Sequence, residues 1–198
     1  MQVERLARMS SRTFPGASVD TRLTLLVSGD GQISLKARFL LAGVPSVERL
    51  GYTWTLPEGF ENVEWFGQGP GESYPDRKES TRLGLYSTTV SEMHFPFTPP
   101  SENGGREDVR YVSFSARDGA KLSVRAANPF HFDARHYTVS DLRDAMHDHE
   151  LPLRAETVFH IDAVHTGIGG DMGWSTALDP QYEITPGEYS LALEIELG

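Results

Sequence analysis

The feature that most constrains this chain is a period of two. Residues 32–39 alternate polar and apolar, and residues 189–197 do the same up to the C-terminus. Successive side chains of an extended strand point to opposite faces, so this spacing gathers the apolar residues on one face. Residues 22–27, 109–116, 121–126 and 157–164 read as further strands. Turn residues separate them. Gly29-Asp30-Gly31, Asp118-Gly119 and Pro186-Gly187 are each expected to link a hairpin, because Gly accepts positive φ and Pro pre-sets φ. Many short strands with such punctuation predict an all-β chain, an antiparallel sandwich or barrel.

One stretch departs from the period. Residues 139–147 predict a short helix, with Thr138 or Ser140 capping its free N–H groups and Asp141 suiting its dipole. Residues 1–18 are polar at the start and predict a flexible segment, leaving 19–198 as the folded domain. Residues 45–57 and 96–100, each bounded by prolines, predict irregular connections.

Composition excludes several classes. The 198 residues suit one domain. A formal net charge of −10 opposes binding to a phosphate backbone, so no nucleic-acid partner is expected. There is no cysteine, hence no disulfide scaffold and no thiolate zinc site. The longest apolar run, residues 39–44, falls far short of the roughly 20 needed to span a bilayer. No signal-peptide pattern is visible at the start, so the expectation is a cytoplasmic protein without a membrane partner.

Three segments are dense in chemistry. In residues 65–77 (Trp-Phe-Gly-Gln-Gly-Pro-Gly-Glu-Ser-Tyr-Pro-Asp-Arg), Glu72 and Asp76 could be a carboxylate pair for glycoside chemistry. The alternative is a structural loop whose carboxylates pair with Arg77 and cap backbone N–H groups. In residues 165–174 (His-Thr-Gly-Ile-Gly-Gly-Asp-Met-Gly-Trp), no amphipathic helix follows the glycines, which argues against a phosphate cradle. Trp174 is either an exposed face for a sugar ring or a core residue. The run His147-Asp148-His149-Glu150 is a metal site or a solvated polar loop.

Taken in order, these segments resemble the C-terminal domain, or small chain, of the family 2 β-galactosidases. Residues 65–77, the Pro100-Ser101-Glu102-Asn103-Gly104 turn, residues 142–151 and the 165–174 loop carry the resemblance over roughly residues 20–198. The resemblance implies a supersandwich fold shared with galactose mutarotases. It also implies that the catalytic glutamates lie in a barrel domain outside this chain, so the chain is expected to be inactive alone and to have no catalytic residue of its own. Its partners would be that domain or large subunit and a β-galactoside.

By the same resemblance, Trp174 stacks on sugar, while His165, Gly167, Gly169, Gly170 and Asp171 support its loop. Gly67, Gly69, Pro70, Glu72, Tyr74, Pro75, Asp76 and Arg77 form a structural loop. Pro99, Pro100 and Leu142 could offer backbone carbonyls to sodium. No other cofactor is implied here, magnesium and sodium being expected in the complete enzyme. The family domain is longer on its N-terminal side, which leaves strand edges for self-association. A stand-alone carbohydrate-binding or mutarotase-like protein, with Glu156 beside His160 or His165, is the alternative.

Overall fold

A computed structural model describes residues 1–43, 46–169 and 177–198. Among the described residues, ten strands form one antiparallel sheet, and the predicted all-β sandwich is what the chain builds. They are β1 (Gln2–Ser10), β2 (Ser18–Val27), β3 (Ile33–Ala42), β4 (Arg49–Leu56), β5 (Phe60–Gly69), β6 (Arg82–Thr89), β7 (Arg106–Ala116), β8 (Lys121–Arg135), β9 (Thr157–His165) and β10 (Gly187–Leu197). The helices are short: α1 (Val90–Met93) and α2 (Val139–Asp144).

The sheet runs β1-β2-β3-β10-β8-β7-β5-β6, and β9 branches from β8 to carry β4. The branch point is within β8. Residues 122–125 pair with β10, whereas His131–Arg135 pair with β9. Pro129 stands between the two, where a residue without an N–H costs no ladder bond. The sheet thereby folds into two layers. Phe39 of β3 and Tyr52 of β4 meet across them with ring centroids 5.8 Å apart.

The alternation lies where the period of two predicts. Leu35, Ala37, Phe39 and Leu41 of β3 are buried, as are Leu191, Leu193 and Ile195 of β10. Ala37 pairs with Leu191 and Leu35 with Leu193, so one apolar face is shared. Trp65, Phe114, Phe132, Phe159 and Ile161 complete the same core.

Several expectations are corrected. The start is a strand: β1 pairs with β2 from Gln2↔Leu26 to Ser10↔Ser18, although every β1 residue is exposed. Its polarity follows from its place at the sheet's edge. Residues 45–57 are not wholly irregular, because 49–56 form β4. Leu50, Tyr52, Trp54 and Leu56 alternate there, a pattern masked by the flanking prolines. Gly51 is required at its bulge, since a side chain would collide with the Asp162 carboxylate and the Ile161 carbonyl. Pro186-Gly187 closes no hairpin. It leads into β10, which pairs with β3 and β8. The helix predicted over 139–147 ends at Asp144. Thr138 caps it through a reciprocal Thr138–Asp141 box, and Ala145 is already extended.

Candidate functional site

One face of β8 and β9 is apolar; the other is charged and equally buried. His131, Asp133 and Arg135 alternate with core residues on β8, and His160 and Asp162 do so on β9. Strand pairing sets His131 opposite Asp162 and Asp133 opposite His160. Arg49 enters from β4, opposite His165.

Asp133 is the hub. Its Oδ2 accepts from Arg49 at 2.6 Å, and its Oδ1 lies 2.9 Å from Arg135 Nη2 and 2.7 Å from His160 Nδ1. Burial alone would raise this carboxyl, but Arg135, Arg49 and His160 hold it well below the ordinary range. Glu102 accepts from Arg135 at 2.8 Å and lies 3.8 Å from Arg49. Burial would lower both guanidiniums, yet these carboxylates keep both strongly cationic.

Asp162 is treated differently. It lies 3.4 Å from Arg49 Nε, but its Oδ2 has no hydrogen-bond partner among the described residues. Burial therefore pushes it up to about 6 against the pull of Arg49 and His131. His131, Asp133 and Asp162 place ligand atoms within 4.8 Å of one another. A cation there would compete with Arg49 and Arg135 for the same carboxylates.

The 65–77 segment lies against this network. Its first part, through Gly69, belongs to β5, where Trp65 is buried and Gly67 and Gly69 pack closely against Val109 and Tyr86. Pro70 begins the loop proper. Tyr74 donates to Glu102 at 3.3 Å and accepts from Gly105 N–H at 3.0 Å. Its ring lies 5.4 Å from that of His165 and 5.5 Å from that of His131, and the two histidines stack at 4.4 Å. Pro75 lines a small cavity beside them.

Both acidic side chains of this loop bind backbone. Glu72 takes Arg77 and accepts from Gly104 N–H. Asp76 accepts from Ile168 N–H at 3.0 Å and from Gly169 N–H at 2.7 Å. The same short segment is tied from other sides. Thr166 N–H donates to Glu48 O at 2.8 Å, and Gly167 N–H donates to Tyr182 O at 3.0 Å. Gly167 has no room for a side chain, since a Cβ would lie 2.7 Å from the Asp76 carboxyl carbon. Residues 166–169 thus leave β9 on a path fixed by three other parts of the chain.

His165 Nδ1 donates to Thr166 O at 2.7 Å. Burial, then His131 and Arg49, lower this imidazole to about 2, so it is neutral at ordinary pH. His160 is buried against Asp133, while Glu156 is exposed. Gly170, Asp171 and Trp174 lie outside the described residues.

A cleft of about 440 Å³ opens beside this loop. Arg49, Glu102, His165, Ile168, Pro100 and Leu142 are among the residues that line it. Pro99 is not among its lining residues, and its carbonyl accepts from the Ser101 hydroxyl at 3.0 Å. In the 147–150 run, Glu150 caps the Met146 and His147 N–H groups, and Asp148 binds His94 at 2.7 Å. Two acids of that run are therefore engaged within the fold.

The loops covering the charged face are thus held by specific side chains from distant parts of the sequence. A family model for the β-galactosidase small chain matches residues 2–195. The chain belongs to the β-galactosidase small chain family. It is 35% identical over 178 residues to a β-galactosidase of Vibrio cholerae, covering 89% of this chain and 17% of that protein. A β-galactosidase of Lactococcus lactis is 34% identical over 85% of this chain and 16% of its own length. One from Yersinia enterocolitica is 36% identical over 75% of this chain and 14% of its own. The chain therefore spans about one-sixth of the length of these curated relatives.

This small-chain fold brings together Asp76, His165, Gly167 and Gly169, and sets Glu72, Tyr74 and Arg77 just behind them. Arg49, His131, Asp133, Arg135 and Asp162 went unread as a site, while His160 was read only beside Glu156 and Glu102 only as part of a turn. For His131, Asp133, Arg135 and Asp162 the signal was present as charged residues at alternating positions inside apolar runs of β8 and β9, where burial demands partners.

Proposed function

We propose that this chain is a working component of a retaining β-galactosidase. In this reading, its 165–174 loop carries Trp174 to the mouth of a catalytic barrel domain outside the chain. The observation that carries the proposal is the Asp76 clamp on Ile168 and Gly169. A loop that presents an aromatic face to a sugar must hold its backbone still, because ordering it at the moment of binding would cost affinity. The part-buried clamp, with the backbone bonds of Thr166 to Glu48 and of Gly167 to Tyr182, would provide that order in advance.

The chemistry would then be divided. Two carboxylates of the barrel domain would carry out the acid and nucleophile steps of retaining hydrolysis. Trp174 would stack on the sugar chiefly at the aglycone side and would move no proton. A sodium ion takes oxygen ligands, and the carbonyls of Pro99, Pro100 and Leu142 would hold one at the cleft's edge. Magnesium would belong to the catalytic domain.

The test is an assay of galactoside hydrolysis with three samples: the purified chain, a β-galactosidase lacking its matching segment, and the two mixed. The proposal expects activity in the mixture alone. Hydrolysis by the chain alone, or a mixture with no more activity than its parts although the two bind, would overturn it.

A further inference from the structure

We propose that His131, Asp133 and Asp162 form a binding site for a divalent transition-metal ion of the zinc type, taken up in exchange for the Arg49 guanidinium. The three residues belong to paired strands. His131 stands opposite Asp162, and Asp133 shares its face two positions along β8. Their ligand atoms lie within 4.8 Å of one another, and all three residues are buried.

Two orphaned atoms point to a cation. His131 Nδ1 donates to Glu107 Oε1 at 2.7 Å, so in the neutral ring Nε2 carries the lone pair. That nitrogen is buried and has no hydrogen-bond partner among the described residues, and neither has Asp162 Oδ2. Buried polar atoms left unmatched cost free energy, and one metal ion satisfies both of these. A metal-binding imidazole usually donates its far N–H to a carboxylate, and Glu107 stands in that position.

Charge favours the same occupant. Among the described residues, the carboxylates of Glu102, Glu107, Asp133 and Asp162 pair with two guanidiniums only, Arg49 and Arg135, their other partners being His131 and His160. A divalent ion corrects that deficit. An imidazole beside carboxylates suits zinc-like ions better than magnesium or calcium, which take oxygen ligands.

Arg49 is the group that gives way. Arg135 is buried and bridges Asp133 and Glu102 at 2.9 and 2.8 Å. The Arg49 side chain is 19% exposed, and its Nε and Nη1 have no hydrogen-bond partner among the described residues. It lines the 440 Å³ cleft and lies 3.8 Å from Glu102, so it can keep an ion pair while leaving Asp133 and Asp162. A second cavity, of about 250 Å³ and lined in part by Glu107, His131 and His165, offers the ion a way in.

Isothermal titration of the chelator-treated chain with zinc chloride tests this, with thermal unfolding read alongside. One zinc ion per chain is expected to bind tightly and to raise the melting temperature, because an ion that binds only the folded chain stabilises it. His131→Gln and Asp162→Asn are each expected to abolish that binding. Glu107 acts through His131, so Glu107→Gln is expected to weaken binding by about tenfold to a hundredfold. Arg49→Met is expected to tighten it, by about tenfold or more, because the ion no longer displaces a cation. Misfolding cannot produce that gain, so Arg49→Met decides the matter if His131→Gln or Asp162→Asn fails to fold. His147 and His149 form an exposed, stacked pair, and His149→Gln is expected to leave the binding unchanged. A wild-type chain that takes up no zinc would overturn the proposal. So would tight binding that survives in folded His131→Gln, binding lost in His149→Gln, or a folded Arg49→Met that binds zinc no tighter than wild type.

Discussion

Asp76 holds Gly169 across 93 residues of sequence, its Oδ2 accepting the Gly169 N–H at 2.7 Å. The same carboxylate takes the Ile168 N–H. An anion that binds two successive N–H groups fixes both the direction and the twist of the chain there. Whatever follows Gly169 starts from a defined position.

Asp76→Ala is expected to free this segment without unfolding the sandwich. A hydrogen bond to a charged group contributes about 1.5–3 kcal/mol. Amide exchange at Ile168 and Gly169 should therefore speed by roughly tenfold to a hundredfold, while amides of β3 and β10 keep their protection. Asp76→Asn should fall between wild type and Asp76→Ala. Equal protection in all three proteins would show that the clamp does not order the loop.

Asp133→Ala strands Arg49, Arg135 and His160 around a missing charge. Breaking a buried pair from one side typically costs about 3–5 kcal/mol. Urea unfolding should show a loss of that order in the extrapolated stability. Asp133→Asn keeps acceptor capacity and should lose less. A loss under about 1 kcal/mol for Asp133→Ala would mean the network contributes little.

Two buried groups oppose each other in acid. His165 is lowered to about 2, so between there and about pH 6.5 the unfolded chain binds the extra proton and stability falls as pH falls. Asp162 is raised to about 6, so between about pH 4 and 6 the folded chain binds the extra proton and stability rises as pH falls. In the wild type these slopes offset each other between about pH 4 and 6. Asp162→Asn is expected to expose the His165 slope, giving a steeper acid loss in that window. His165→Gln is expected to do the reverse. Unfolding curves at half-unit pH steps read both, and identical profiles for all three proteins would refute the assignment.

Most of the fold was legible because alternation is a property of neighbours. The apolar positions of β3 and β10 are readable from period alone, and both strands lie where that period puts them. β1 was not legible, since a polar strand at an edge carries no apolar face to count. β4 was hidden by prolines at its flanks, although Tyr52 and Trp54 alternate correctly. The charged face of β8 and β9 shows the limit most clearly. Asp133 and His160 are meaningful only once strand pairing sets them opposite one another, and pairing is not a local property. The order of motifs located the Asp76 loop and the His165 loop; only the structure shows Asp76 gripping Ile168 and Gly169.

The most direct measurement uses a chimera in which this chain replaces the matching segment of the Vibrio cholerae β-galactosidase. Its lactose kinetics would be compared with and without Trp174→Ala. Removal of a stacked aromatic is expected to cost on the order of 1 kcal/mol or more of sugar interaction, read as at least a fivefold fall in kcat/KM with an unchanged melting temperature. Asp76→Ala should lower kcat/KM in the same direction. A folded chimera whose kinetics are indifferent to Trp174→Ala, for lactose and for an aryl galactoside alike, would contradict the account.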